Sequence, residues 1–206
     1  DVEDAGERFK EGAFRIIRKD PAQILARRQI VYDNDHPAAG QSKPRWTGFP
    51  DGAAVPADPH GFNVSAPADG ETVWLRYRHL LPDVDKPSLI TDFSGYNSYE
   101  AGFHRGQMAE NWAGDLILEC DVTISQPKGE LILELSRGVN RFRVVFDLAQ
   151  GTRRLVRVAP GWESEFATAG PPLVLNTPGT YKLRMANVDQ RVTVWVNDEP
   201  VFAENY

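Results

Sequence analysis

Hydrophobic residues occupy every second position through much of the stretch from residue 114 to residue 158. Because successive side chains of an extended strand point to opposite faces, this alternation predicts strands with one buried face. The apolar positions of the first three runs are Leu116, Leu118, Cys120, Val122 and Ile124; Leu131, Leu133 and Leu135; and Phe142, Val144 and Phe146. Turn residues separate these runs, so we expect an antiparallel meander that continues into a fourth strand at residues 152–158.

The same alternation returns near the C-terminus. Its apolar positions are Tyr181, Leu183 and Met185, followed by Val192, Val194 and Val196. Residues 187–190, with the sequence NVDQ, predict a hairpin turn between the two runs, because Asn and Asp tolerate left-handed backbone conformations. A short last strand is expected around Val201 and Phe202. About ten strands in all favour an all-β fold, a two-sheet antiparallel jelly-roll sandwich.

We expect the 206 residues to form one domain, since all-β sandwiches of this length are commonly single domains. Residues 1–36 contribute an N-terminal strand, GAFRIIRK, and one short helix, which Asp20 caps and Pro21 begins. Proline and glycine recur through residues 37–69, and this pattern predicts a long irregular loop. Residues 70–206 then form the body of the sandwich.

The composition narrows the function classes. The net charge of −6 argues against a nucleic-acid partner, and no apolar run approaches the roughly 18 residues that cross a bilayer. The single cysteine, Cys120, falls on an apolar strand face, which predicts a packed thiol. The histidines lack the spacing of a zinc site, and residues 33–35, DND, favour a turn over a calcium site. We therefore expect no metal and no other cofactor.

Acidic residues also fall in pairs on the polar faces of the predicted strands, as Glu130 and Glu134 do. Glycoside hydrolysis needs two carboxyl groups facing each other across a cleft. Arg141 and Arg143, however, fall on the outward face of the neighbouring strand. Cross-strand ion pairs are therefore the expected role of these acids.

Aromatic residues offer a binding hypothesis. A sugar site on a β-sandwich uses exposed flat rings that stack on pyranoses, with amide and guanidinium groups that bond the hydroxyls. The segment GYNSYEAGFHRGQMAENW supplies both kinds of group. The predicted ligand-binding residues are Tyr96, Asn97, Tyr99, Arg105 and Trp112, together with Trp195, which falls on the polar-side register of its strand. The alternative is that rings in long loops pin those loops to the core.

Several phrases of the sequence carry a resemblance to a known family. FRIIRKDPAQILARRQIVYDND, SLITDFSGYN, WAGDLILECDVTI and GELILELSRGVNRFRVVFDLAQG resemble the large extra-cytoplasmic region inserted in signal peptidase I proteins of planctomycete-type bacteria. The ending GTYKLRMANVDQRVTVWVND is similar to the last strands of concanavalin A-like lectin and glucanase sandwiches. The peptidase family uses a serine followed by Met and a lysine followed by Arg. This chain contains neither pair, so the catalytic dyad cannot be carried over to any of its residues.

The resemblance implies a non-catalytic, extra-cytoplasmic accessory domain of a signal peptidase I-like membrane protease, which positions substrate or binds a partner. The location it implies is the periplasmic side of the membrane, with a membrane-anchored parent and a soluble segment. Because the chain begins with Asp, we interpret it as a piece of a longer protein. The alternative function is a carbohydrate-binding module or a glycoside hydrolase-like domain. The expected partner is accordingly a protein or a glycan, and the fold alone cannot choose between them.

Overall fold

The computed structural model describes residues 12, 16–37, 43–57, 60–65, 70–81, 84–91, 112–169 and 174–206. Strands take up 56 % of these residues, and the one described α-helix has only six residues. The fold is therefore all-β. Contacts between Cα atoms divide the chain into two compact units, residues 1–28 with 114–206 and residues 29–113. The single domain expected over residues 1–206 stays a prediction.

The described residues of the unit 29–113 form short antiparallel ribbons. Its strands are β1 (Trp46–Phe49), β2 (Ala54–Ala57), β3 (Gly61–Val64), β4 (Trp74–Tyr77), β5 (Leu80–Leu81) and β6 (Val84–Pro87). β1 pairs with β4, β2 with β3, and β5 with β6. The proline and glycine pattern predicts an irregular loop over residues 37–69, but β1, β2 and β3 lie within it. Each has only four residues, too few for a period-2 alternation to stand out.

The other unit contains a β-sandwich of two four-stranded antiparallel sheets. Its strands are β7 (Leu116–Ile124), β8 (Glu130–Arg137), β9 (Asn140–Asp147), β10 (Thr152–Ala159), β11 (Trp162–Ala169), β12 (Gly179–Val188), β13 (Arg191–Val196) and β14 (Glu199–Asn205). Sheet I has the strand order β11-β10-β9-β8, and sheet II has the order β14-β13-β12-β7. The sandwich body thus begins at β7, whereas β4, β5 and β6 belong to the other unit.

The inner faces of sheets I and II bury one hydrophobic core, as the alternation predicts. The buried members are Ile124, Leu133, Leu135, Phe142, Val144, Phe146, Leu148, Leu155, Leu175, Tyr181, Leu183, Met185, Val192, Val194, Val196 and Phe202. Leu116, Leu118, Cys120 and Val122 of β7 pack against this cluster. The predicted inward residues of β7, β8, β9, β12 and β13 are therefore confirmed.

The connection of β7 to β8 differs from the prediction. The alternation predicts a meander that begins with β7, but β7 lies in sheet II, where it pairs with β12. β8 lies in sheet I and pairs with β9, so residues 125–129 cross from one sheet to the other. A pattern that places apolar residues on one face fits either arrangement, because both strands bury that face in the same core. β11, which carries WESEFATA without a clear alternation, was not predicted.

A short helix, α1 (Pro21–Ala26), covers the outer face of sheet II. Asp20 caps it as the sequence predicts: the backbone N–H of Gln23 donates to the Asp20 carboxylate at 2.8 Å. Residues 16–19, expected in an N-terminal strand, have no regular secondary structure. Within the described parts of the chain, no helix combines the length and the apolar character needed to span a membrane.

Candidate binding site

The structure describes two of the six residues that the sequence predicts to bind a ligand. Tyr96, Asn97, Tyr99 and Arg105 lie outside the described residues. Trp112 forms a β-bridge with Thr91, and its side chain is 45 % exposed. The shared site that these residues are predicted to form stays a prediction.

Trp195 lies on the outer face of sheet II and is only 1 % exposed. It packs in a small cluster with Ile24 of α1 and with Ala186 and Val188 of β12. The alternation correctly places Trp195 away from the main core. However, α1 covers this face, so the indole presents no ring surface to a ligand.

The unit of residues 29–113 holds a second group of aromatic residues, Tyr32, Trp46 and Tyr77, which we call the aromatic wall. The ring centroid of Tyr77 lies 5.2 Å from that of Trp46 and 5.7 Å from that of Tyr32. The guanidinium of Arg45 lies over the Tyr32 ring, 5.2 Å from its centroid. Trp46 and Tyr77 occupy directly opposed positions of β1 and β4, so the ribbon itself fixes their spacing.

The hydroxyl group of Tyr77 makes a polar contact with His79. The hydroxyl oxygen lies 3.1 Å from Nδ1 of His79. Burial raises the pKa of Tyr77 and outweighs the hydrogen bond and the charge of Arg45, which lower it. The phenol therefore keeps its proton at pH 7. Burial, followed by the charge of Arg45, lowers the pKa of His79, so the imidazole is neutral at pH 7. Either tautomer of the neutral ring can share a hydrogen bond with the phenol, and this bond fixes the orientation of Tyr77.

Beside the aromatic wall lies an open groove of about 480 Å³, within the roughly 300–1,000 Å³ range of small-ligand sites. We call it the ribbon groove, because its sides come from β1, β2 and β3. The described lining residues that matter most are Tyr32, Asn34, Trp46, Asp51, His60 and Phe62. Among the described lining residues, Asp51 is the only Asp, Glu, Lys or Arg, so this lining contains one carboxylate and neither lysine nor arginine.

Gly48 allows β1 and β2 to approach closely at the groove. A Cβ built on Gly48 would lie 2.7 Å from the backbone nitrogen of Ala54, closer than real Cβ atoms come to any neighbour. That backbone nitrogen belongs to β2 and cannot rotate away as a flexible side chain can. Gly48 is therefore required for the present close approach of β1 to β2.

The outer face of sheet I is covered by ion pairs, as the sequence predicts. Glu134 accepts hydrogen bonds from Arg141 at 2.9 Å and from Arg143 at 2.7 Å. On the same face, Arg154 pairs with Glu130 at 2.9 Å. Each of these acids has an arginine partner on a neighbouring or nearby strand, which accounts for the acidic pairs in the sequence.

Other candidates for chemistry have structural roles. Cys120 packs against the sandwich core, and burial, followed by the nearby Asp121, raises the pKa of its thiol to about 11. The Asp33 carboxylate accepts from the backbone N–H of Asp35 at 3.0 Å and contacts His36 Nδ1 at 3.0 Å, a turn of the expected kind. No group of three or more His, Cys, Asp or Glu residues suited to a metal ion occurs in the described part of the chain.

Only some of the residues that line the ribbon groove could be recognised in the sequence. Trp46 and Phe62 stand out as large rings in a stretch rich in proline and glycine, where they read as packing residues. Tyr32 and Tyr77 join them only through the pairing of β1 with β4, which brings together segments far apart in sequence. No local spacing rule links such residues, so the aromatic wall could not be predicted as a unit.

Comparison of the chain with protein-family models, with curated proteins and with solved structures found no match.

Proposed function

We propose that this chain is a non-catalytic, extra-cytoplasmic accessory domain of a signal peptidase I-like membrane protease, and that it binds a substrate or a partner. The observation that carries the binding role is the ribbon groove with its ordered aromatic wall. Rings held in place before a ligand arrives lose little conformational entropy on binding, which favours affinity. The extra-cytoplasmic location and the protease parent rest on the phrases quoted from the sequence.

The two units suggest a division of roles. α1 covers the outer face of sheet II, and arginine–glutamate pairs occupy the outer face of sheet I. Groups that already have partners within the chain gain little by binding a ligand. The ribbon groove lies in the other unit and is open. The sandwich is therefore the scaffold of the proposal, and residues 29–113 supply the binding surface.

The test is a nitrogen-15 NMR titration of the full 206-residue chain. One ligand is an extended peptide with small residues at alternate positions, as at a signal-peptide cleavage site. The other is a neutral oligosaccharide. We expect amide shifts that saturate and that cluster within residues 43–62. The Trp162→Ala variant, which removes a half-exposed ring from β11, serves as the matched control and should titrate like the wild type. If neither ligand shifts these amide signals at millimolar concentration, the binding role of this unit is contradicted.

The second candidate function is a carbohydrate-binding module or a glycoside hydrolase-like domain of the concanavalin A-like jelly-roll type. It is favoured by the exposed ring of Trp112, which borders the aromatic segment predicted to bind sugars. A glycan array that gives a signal with the wild type, and a lost signal with Trp112→Ala or Tyr96→Ala, would support it. An unchanged signal in both variants would remove these residues from the site.

A further inference from the structure

We propose that the ribbon groove binds a neutral pyranose ring of a glycan, with the sugar stacked against Trp46. This inference rests on the proposed binding role and names the ligand class for that same groove. The first observation that supports it is the position of Trp46. This residue lines the groove, and the centroid of its ring lies 5.2 Å from that of the Tyr77 ring, which packs against it. A supported indole presents a flat, apolar ring face with partial negative charge, which complements the partly positive C–H groups on one face of a pyranose.

Polar residues also line the ribbon groove, namely Asn34, Thr47, Asp51 and His60. Asn34 is held in place, because its Oδ1 accepts from the Tyr32 hydroxyl at 3.2 Å and its Nδ2 donates to the His60 carbonyl. An amide held in this way keeps a lone pair and one N–H for another partner. Sugar hydroxyls, which both donate and accept, match such a mixed set.

The backbone of β1 adds further donors and acceptors. The N–H of Arg78 donates to the carbonyl of Arg45 at 2.6 Å, which marks this pair as hydrogen-bonded across the ribbon. In an antiparallel ladder every second pair bonds, so the N–H and C=O groups of Trp46 and Gly48 point to the opposite edge. β1 pairs only with β4 among the described strands. These groups are therefore directed away from β4, to the edge of β1 that has no partner strand among the described residues.

Charge and strand length favour a neutral sugar over other ligands. With Asp51 as the only Asp, Glu, Lys or Arg among the described lining residues, the groove lacks the cations that would bind phosphate, sulfate or uronic acid groups. An extended peptide would gain affinity mainly from backbone pairing along a sheet edge. β1 has four residues and directs the groups of only two of them outward, which gives a peptide few such bonds.

The experiment is a calorimetric and NMR titration of the full chain with three probes: cellotetraose, polygalacturonate oligomers and the cleavage-site peptide. We expect saturable binding of cellotetraose with a shift of the Trp46 indole N–H, and at least tenfold weaker binding of the anionic oligomer. If the peptide binds in the groove and cellotetraose does not, the sugar inference is overturned while the binding role stands. If no probe binds, both fail.

Variants locate the site. Trp46→Ala should weaken cellotetraose binding about tenfold, which corresponds to roughly 1.4 kcal/mol, whereas Trp46→Phe keeps a ring and should lose less. Trp162→Ala, which removes another partly exposed indole, should leave the affinity unchanged. Because Trp46→Ala also removes packing against Tyr77, the wild-type indole shift provides a readout that needs no folded variant. Sugar binding that leaves the Trp46 indole signal unmoved would overturn the inference.

Discussion

Asp189 combines a backbone role with an electrostatic one. It and Gln190 have φ values of 53° and 56° and form the two-residue turn between β12 and β13. Both central residues lie in the left-handed region, as the twist of a tight hairpin requires. The carboxylate also accepts from the backbone N–H of Lys19 at 3.1 Å and from Lys19 Nζ at 2.9 Å. Asp189 thus forms part of the hairpin turn and also binds Lys19, in the segment that leads into α1.

The pair with Lys19 predicts a pH dependence of stability. Burial acts to raise the pKa of Asp189, but the hydrogen bonds and charge of Lys19 outweigh it and hold that pKa below the usual 3.8. Because the folded-state pKa is lowered, the contribution is complete above the unfolded-state value and disappears as the pH falls through the folded-state pKa. Asp189→Asn, which still tolerates the left-handed turn, should lower the free energy of unfolding at pH 7 by about 1 kcal/mol.

Urea denaturation between pH 7 and pH 2.5 measures this effect. The difference between wild type and Asp189→Asn should shrink as the pH falls below about 4. Glu204→Gln, which neutralises an exposed acid on β14, is the control and should change stability little. A difference that stays constant across this range would show that the charge of Asp189 has no part in stability.

At the scale of elements, α1 stabilises sheet II despite its six residues. A helix this short is not stable by itself, so it depends on its cap and on its packing. Ile24 is 4 % exposed in the cluster with Trp195, and Arg28, just beyond the helix, pairs with Glu119 of β7 at 2.9 Å. The helix and its flanks therefore contact both β7 and the central strands of the sheet.

Ile24→Ala should lower the free energy of unfolding by about 2–4 kcal/mol, because it removes buried methyl groups and leaves a cavity over Trp195. Ile17→Ala changes the same residue type at a position that is 87 % exposed, so its effect should stay within about 0.5 kcal/mol. Chemical denaturation of both variants makes the comparison. Equal effects at the two positions would contradict the packing role of α1.

What the sequence predicts well at this scale is local. Alternation places the core positions of β7 to β9, β12 and β13, and Asp20 marks the start of α1. It cannot decide which sheet receives β8, because strands of both sheets bury their faces in the same core. Nor can the alternation reveal that α1 covers Trp195, because that contact joins segments far apart in sequence. A residue that faces away from the main core can be either exposed to solvent or buried under another element.

At the scale of the whole molecule, residues 29–113 form an excursion between α1 and β7. The chain leaves one unit just after Arg28 and returns at Gly114, and Arg28 contacts Glu119 soon after that return. All the sandwich strands lie on the C-terminal side of the excursion. The sandwich contacts described above are made without residues 29–113.

Replacing residues 29–113 with about ten Gly and Ser residues, which span roughly 17 Å on average, should leave a folded sandwich. We expect a β-rich circular dichroism spectrum and a single cooperative unfolding transition. Adding Ile24→Ala to the shortened chain should lower its midpoint, as in the full chain. Loss of the cooperative transition in the shortened chain would show that the sandwich needs the excursion to fold.

The contact between Lys19 and Asp189, 170 residues apart, also dictates an order of events during synthesis. At about 5–20 residues per second, the 76 residues from Gly114 to Asp189 take roughly 4–15 s to translate. The described strands of residues 29–113 pair only within that unit, so its ribbons can close as soon as they leave the ribosome. α1, by contrast, must wait with its apolar face exposed until the last hairpins arrive. On the ribosome, α1 is therefore made before the strands of residues 29–113 but reaches its native contacts after them.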